Sequence, residues 1–353
     1  MSITVRFAQR DELDAINAVR RQVNDHHVSG RPDIFRSGFC DELEQHIFEF
    51  FDTQDHSVIA AFSGGRLCGF ASVYTFVKPL SSYNLERRIY GVEEFGVLRD
   101  FRRMGVASAM IDFIKKDALA HGIDRIELDM WEFNEGAYKF YKSAGFVTIR
   151  RYMELNVKGF PTRENAERIL EEAGKLNNGA WISHSRVAAR CAEAIALKCG
   201  DLDSEKAYVL GLLHDIGRRF GVSHFRHVYD GYTYLTKLGY PAAAKICLTH
   251  SFPNRDIKDY IGNIDVSEEQ YEYIKDMLSN VRYDDYDRLI QLCDAISMPF
   301  GAVSVEQRMN DVKGRYGAYP QNKWEKNISL KYYFSVKCGD DIEKLTSEVK
   351  GDI

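Results

Sequence analysis

The spacing of apolar residues in this 353-residue chain changes near residue 156. Before that point, alternating strand-like runs are interleaved with runs spaced three to four residues apart. After it, nearly every segment has the helical spacing. Two periodicities in one chain predict two domains of different class, and the length suffices for two ordinary cores. The first domain, 1–157, reads as a mixed α/β layer fold. A linker is expected over 158–174, centred on the Gly- and Pro-containing run Asn156 to Pro161, and a mainly α domain over 175–353.

In the first domain, strands are expected at Ile3–Phe7, Ser57–Phe62, Arg66–Thr75, Ile89–Val97, Arg125–Met130 and Phe146–Leu155. The second and third flank Gly64-Gly65, a hairpin signal. Helices are expected at Asp11–Val23, at Ala107–His121 with Gly122 closing it, and at Glu135–Ser143. In the second domain, the helical stretches are Trp181–Lys198, Ser204–Leu213, His227–Leu238, Ala242–Thr249, Glu268–Leu278 and Asp285–Ile296.

Composition narrows the class. The hydrophobic fraction of 45% is that of a globular protein, and a formal charge of −5 gives no electrostatic case for nucleic-acid binding. No run approaches the roughly 18 apolar residues of a membrane span. The start, Met-Ser-Ile-Thr-Val-Arg-Phe, lacks a signal-peptide stretch. Seven cysteines without a CxxC pair fit a reducing compartment better than a disulfide framework. A soluble cytoplasmic protein with free thiols is expected, binding neither membrane nor nucleic acid. Association as a homodimer stays open.

Between the strand ending at Val97 and the helix near Gly105 lies a loop with two arginines. A helix start leaves N–H groups unpaired and carries partial positive charge, so an anion fits there. Taken alone, such a loop also fits an ordinary strand-to-helix turn. However, Arg102-Arg103-Met104-Gly105-Val106-Ala107 resembles the Arg/Gln-x-x-Gly-x-Gly/Ala motif of the GNAT acetyltransferases. The run from Asn134 through Ala137-Tyr138 and Tyr141 to Gly145-Phe146 resembles that family's downstream motif. The resemblance covers about residues 1–155, and Ala107 stands where glycine is more usual.

This resemblance implies a mixed, splayed central sheet with flanking helices that binds acetyl-CoA. The cofactor would be held by Val97, by the backbone of Arg102, Arg103, Met104, Gly105, Val106 and Ala107, and by Asn134. The implied reaction is direct acetyl transfer to a small-molecule amine, which needs a base and an acid. Tyr141 falls at the family's tyrosine acid; a core aromatic is the other reading. Glu93 or Glu94 would act as base through water, or they form a solvated pair. As strand neighbours they face opposite sides. The acceptor pocket is expected from Val23 to Phe51, with Arg31-Pro32-Asp33-Ile34-Phe35 lining it. His26 and His27 read as surface-loop residues.

Downstream, His184, His214, Asp215, His227, His250 and Asp294 each fall on a helix or helix end. Asp294 is flanked by apolar residues, where an acid is costly unless paired or metal-bound. Imidazole and carboxylate suit transition ions. The series resembles the HD phosphohydrolase superfamily, named for the doublet seen here at 214–215, over about residues 175–300. His227 and His250 match positions present in two-metal members; His224 fits that spacing less well. The resemblance implies an all-α helical bundle with these six residues holding two divalent transition ions (Fe, Mn, Zn, Co or Ni). Asp215 would take a direct part in hydrolysing a small phosphorylated compound or nucleotide. Arg218 and Arg219 would neutralise its phosphate, or are solvated. Some HD proteins perform di-iron oxygenation in the same cage. The leading expectation is a bifunctional enzyme; the alternative is an acetyl-CoA sensor that regulates the hydrolase.

Overall fold

The computed structural model describes residues 2–36, 38–155, 157 and 159–351. The chain forms two compact units, residues 1–152 and 153–353. Asn156 and Lys158, inside the expected linker, lie outside the described residues.

The first unit contains β1 (Ile3–Phe7), α1 (Leu13–Gly30), α2 (Asp41–Asp52), β2 (His56–Ser63), β3 (Arg66–Lys78) and β4 (Arg87–Val97). α3 (Val106–Ala120), β5 (Ile126–Leu128) and α4 (Glu135–Ser143) complete it. The strands pair in sequence order, antiparallel up to β4, with β5 parallel to β4. Gly64 and Gly65 have φ of +59° and +79°, which lets a two-residue turn close β2 onto β3. Alternation along the strands loads both faces of the sheet. Ile59, Ala61, Ala71, Val73 and Val92 pack with α3 residues Met110, Ile111 and Ile114. Val58, Ala60, Leu67 and Phe70 pack with Leu13, Ile16 and Val19 of α1 and Ile47 and Phe50 of α2.

Two features open the sheet. β5 pairs with β4 only from Tyr90 to Val92, so the rest of β4 lacks a partner strand on that side. At that point Ser72 pairs with Glu94 but Val73 pairs with Val92, leaving Glu93 as the extra residue of a bulge. The strand expected over Phe146–Leu155 does not form. Val147, Ile149, Tyr152, Met153 and Leu155 are each at least 70% exposed. Their apolar content suggested a strand, but a strand needs a ladder partner, and the three-residue β5 offers little edge.

The second unit is helical: α5 (Arg163–Leu176), α6 (Ala180–Cys199), α7 (Ser204–Leu213), α8 (Arg226–Lys237), α9 (Pro241–Thr249), α10 (Glu268–Asn280) and α11 (Asp285–Asp294). A small hairpin, β6 (Ser297–Met298) and β7 (Gly301–Ala302), leads into α12 (Val305–Tyr316), α13 (Gln321–Cys338) and α14 (Ile342–Thr346). From Ala207 to Leu213 every residue of α7 is buried, which makes it the central helix. α5 occupies the stretch expected as linker. Ala166, Ile169, Leu170 and Ala173 follow helical spacing and join the core, and Thr162 caps the first turn through the Asn165 amide. Cys199 and Cys338, at the ends of α6 and α13, form a disulfide, contrary to the expected free thiols. The pair is 139 positions apart, so the sequence does not announce that the two helix ends meet. Among the described residues no helix is long and apolar enough to cross a membrane.

Glycines let backbones approach where the second unit is tightest. A Cβ at Gly211 would lie 2.7 Å from the Ala189 Cα, so α7 sits directly on α6. A Cβ at Gly217 would lie 1.9 Å from the His227 carbonyl oxygen and 2.6 Å from the Gly231 nitrogen. Gly217→Ala must push α8 away and should cost about 2–3 kcal/mol as an overpacking change. Gly314→Ala, inside α12 with open space around it, should instead stabilise by about 0.5–1 kcal/mol through helix propensity. Urea midpoints of the two variants check the opposite signs.

Candidate functional sites

In the first unit, Gly105, whose φ of +86° needs glycine, immediately precedes α3, and no side chain among the described residues caps its first turn. The first helical bond runs from the Ala109 amide to the Gly105 carbonyl. The amides of Val106, Ala107 and Ser108 therefore have no partner within the helix. Residues 102–105 are exposed, and Arg103 holds a left-handed φ of +64° that a non-glycine residue seldom adopts. An exposed, uncapped helix start preceded by two arginines is suited to an anion. The Val97 carbonyl accepts from Arg102 Nε at 3.3 Å and Gln22 Nε2 at 3.4 Å.

Tyr141 on α4 packs edge-on against Phe95 of β4 and against Phe146. Its hydroxyl has no hydrogen-bond partner among the described residues, and burial pushes its pKa up to about 12. A phenol so placed stays protonated at neutral pH and can donate. Asn134 caps α4, its Oδ1 accepting from the Ala137 amide at 3.1 Å.

The two glutamates differ. Glu94 is held by Arg20, with Nε at 2.9 Å and Nη2 at 2.8 Å. Arg20 is 1% exposed and also donates to Asn17 Oδ1 and the Leu43 carbonyl. Glu93, the bulge residue, is exposed. The reading of His26 and His27 as loop residues needs correction: both lie in α1. His27 stacks on Phe35, Phe35 meets Trp131 edge-on, and both histidines contact Phe133. Burial lowers the His27 pKa. Arg31 and Asp33 pair with each other at 2.9 Å beside this nest. Ser37, in the segment expected to form the acceptor pocket, lies outside the described residues.

In the second unit, the six expected ligands fall into two groups. His184, His214 and Asp294 form one and Asp215, His227 and His250 the other, with ligand atoms within 4.8 Å of one another in each. His184 Nε2 lies 3.0 Å and His214 Nε2 4.0 Å from Asp294 Oδ1. His227 Nε2 lies 3.2 Å and His250 Nε2 3.6 Å from Asp215 Oδ1. The helices explain the convergence. α7 ends at Leu213 and delivers the doublet, His227 sits in the first turn of α8, His250 caps α9, and Asp294 ends α11.

Each histidine is tethered through Nδ1 to a backbone carbonyl. His184 donates to Ser297, His214 to Gly211 at 2.7 Å, His227 to His224, and His250 to Ile246 and Cys247. The tether places the proton on Nδ1 and leaves the Nε2 lone pair for a ligand. Burial drives the pKa of His227 down to about 3 and of His250 to about 4, and lowers that of His184. These rings are therefore neutral at physiological pH. Burial works against ionisation of Asp215 and Asp294, but their neighbours together outweigh it: Arg218 with the surrounding imidazoles for the first, and the His184 hydrogen bond with the surrounding imidazoles for the second.

The donor set fits a transition ion. Among the described residues His214 Nε2 is buried without a hydrogen-bond partner, a costly state that a metal bond would relieve. Asp294 sits at a helix C-terminus, where the helix field opposes a carboxylate and a cation is favoured.

Arg218 donates Nε to Asp215 Oδ2 at 2.6 Å. Arg219 is 4% exposed, with its guanidinium 3.9 Å over the Tyr234 ring. It is thus a packed side chain, not a solvated one. Sequence reasoning missed Asp287, which is buried and joins α11 to α9 by accepting from Lys245 and Thr249 Oγ1. It also missed Arg20; an arginine beside Ile16 and Val19 on the apolar stripe of α1 was the available signal.

Residues 24–146 match the acetyltransferase (GNAT) family model, and residues 181–298 match the HD domain model. Among solved structures, a tetramutant of the BH1408 protein from Bacillus halodurans is 24% identical, covering 44% of this chain and 99% of its own, with a TM-score of 0.42. The aminoglycoside acetyltransferase AAC(6')-Iy, solved with a CoA bisubstrate analogue, is 18% identical over 44% of this chain and 98% of its own, TM-score 0.37. An acetyltransferase from Vibrio fischeri is 20% identical over 36% and 96%, TM-score 0.30. The chain joins, in this order, a GNAT-family acetyltransferase domain and an HD domain.

Proposed function

We propose that the chain is a bifunctional enzyme: an acetyl-CoA-dependent N-acetyltransferase of small amines and a two-metal phosphohydrolase of a small phosphorylated compound. The observation that carries the second activity is the sorting of six ligand residues into two triads around four Nδ1-tethered histidines.

In the GNAT domain, the unpaired amides at the start of α3, with Arg102 and Arg103, would hold the cofactor's pyrophosphate. Bound acetyl-CoA supplies the thioester. The Tyr141 hydroxyl, protonated and without another acceptor, gives its proton to the departing thiolate. Glu93 at the bulge is the better candidate for accepting the ammonium proton through water, because Glu94 is engaged by Arg20. Glu94 then serves to hold β4 against α1.

In the HD domain, His184, His214 and Asp294 would hold one ion, and Asp215, His227 and His250 the other. Bound divalent ions supply Lewis acidity toward phosphate oxygens and water. Arg218 fixes the Asp215 carboxylate and keeps Nη2 for a phosphate oxygen. Arg219 supports this wall from within the core.

Tyr141→Phe should lower acetyl transfer by about 100-fold or more while leaving acetyl-CoA affinity unchanged, as read from steady-state rates over an amine panel and from calorimetry. Because its pKa is raised to about 12, the acid form persists as pH rises. The rate should lose no acid catalysis through the mildly alkaline range. An amine panel that yields no product, while acetyl-CoA alters hydrolysis, would replace catalysis with sensing.

Protein purified without chelator should carry about two transition ions per chain, by elemental analysis. His214→Ala and Asp215→Ala should each lose bound metal and abolish hydrolysis across a nucleotide and phosphoester panel. Metal-free protein, or variants that hydrolyse normally, would defeat the hydrolase reading.

A further inference from the structure

We propose that α12, α13 and the turn between them form a second wall of the metal pocket, where Arg308, Tyr319 and Lys323 bind the anionic oxygens of a small phosphorylated substrate. This rests on the phosphohydrolase reading. All three residues lie beyond the segment 181–298 that matches the HD family model.

The β6–β7 hairpin links this wall to the first triad. His184 Nδ1 donates to the Ser297 carbonyl, and the sulfur of the next residue, Met298, accepts from Arg308 Nη1 at 3.5 Å. Arg308 is among the charges acting on His184. Its Nη1 also donates to Asp311 at 3.0 Å, while Nε and Nη2 make no hydrogen bond among the described residues. A guanidinium with that pair of donors open suits bidentate capture of phosphate.

Lys323 reaches the pocket from α13. Its Nζ donates to the Ser251 carbonyl at 2.9 Å, immediately after the ligand His250, and to the Asp259 carbonyl at 3.0 Å. An ammonium has three donors, so one remains. Tyr319 accepts from Asn327 Nδ2 at 2.8 Å, which leaves its own O–H to donate elsewhere. Asp294 is the strongest charge acting on both Tyr319 and Lys323. Three donors with spare capacity thus border the candidate ligands: Arg308 through Met298 next to Ser297, Lys323 through Ser251 next to His250, and Tyr319 within the field of Asp294. Even with Asp259 and Asp311 counted, two divalent ions would leave this pocket with excess positive charge. A phosphate dianion offsets that charge; a neutral substrate does not.

The test uses the full-length, metal-loaded protein and inorganic phosphate, read by calorimetry together with metal content. Arg308→Ala should weaken phosphate binding about tenfold or more, and Tyr319→Phe about threefold, both with unchanged metal content. Unchanged phosphate affinity in a folded, fully loaded Arg308→Ala protein overturns the proposal. If that variant loses metal, Arg308→Lys and Tyr319→Phe carry the test, and normal affinity in both overturns it. Arg308-dependent phosphate binding without turnover of any phosphoester upholds this wall as an anion site while the hydrolase reading falls.

Discussion

The tether from each imidazole Nδ1 to a backbone carbonyl is the constraint on which the second unit turns. It sets the proton, the ring orientation and the direction of the Nε2 lone pair together. Three of the four acceptors, Gly211, His224 and Ile246, lie three or four residues before the histidine they anchor. Each helix end thereby aims its own ligand. The fourth, Ser297, comes from the β6–β7 hairpin and ties α6 to the chain beyond α11. Close backbone contact at Gly211 and Gly217 then fixes how near these helix ends can come.

The first unit solves a different problem. A continuous sheet would have no room for a ligand beside β4. The short β5 ends the pairing on one side at Val92, and on the other side the bulge at Glu93 shifts the β3–β4 register at the same level. What keeps the opened strand in place is the Arg20 guanidinium, which bridges α1, the Leu43 carbonyl and Glu94. One of the two carboxylates offered as base, Glu94, is therefore firmly engaged in structure.

Much of this was legible in the sequence because it rests on local rules. Strand alternation, the Gly64-Gly65 turn, the helix ending at Gly122 and the six ligand positions all report residues whose partners are near or whose type is chemically narrow. What escaped depends on distant packing. The stripe Ala166, Ile169, Leu170 and Ala173 is built partly from small residues and was absorbed into a linker. The Cys199–Cys338 pair is invisible without knowing that two helix ends meet. Phe146 to Leu155 has strand composition but no edge to join, so propensity alone misled. Arg308, Tyr319 and Lys323 carry no motif; only the fold sets them beside the β6–β7 hairpin and the ends of the ligand-bearing helices.

Consecutive residues of the doublet serve different triads: His214 belongs with His184 and Asp294, and Asp215 with His227 and His250. One peptide bond therefore links the two ligand sets. Just beyond it, Gly217 packs directly against the His227 carbonyl, so the chain after the doublet has little room to shift. The two triads are in effect one mechanical part. A substitution that displaces one triad therefore shifts the other with it.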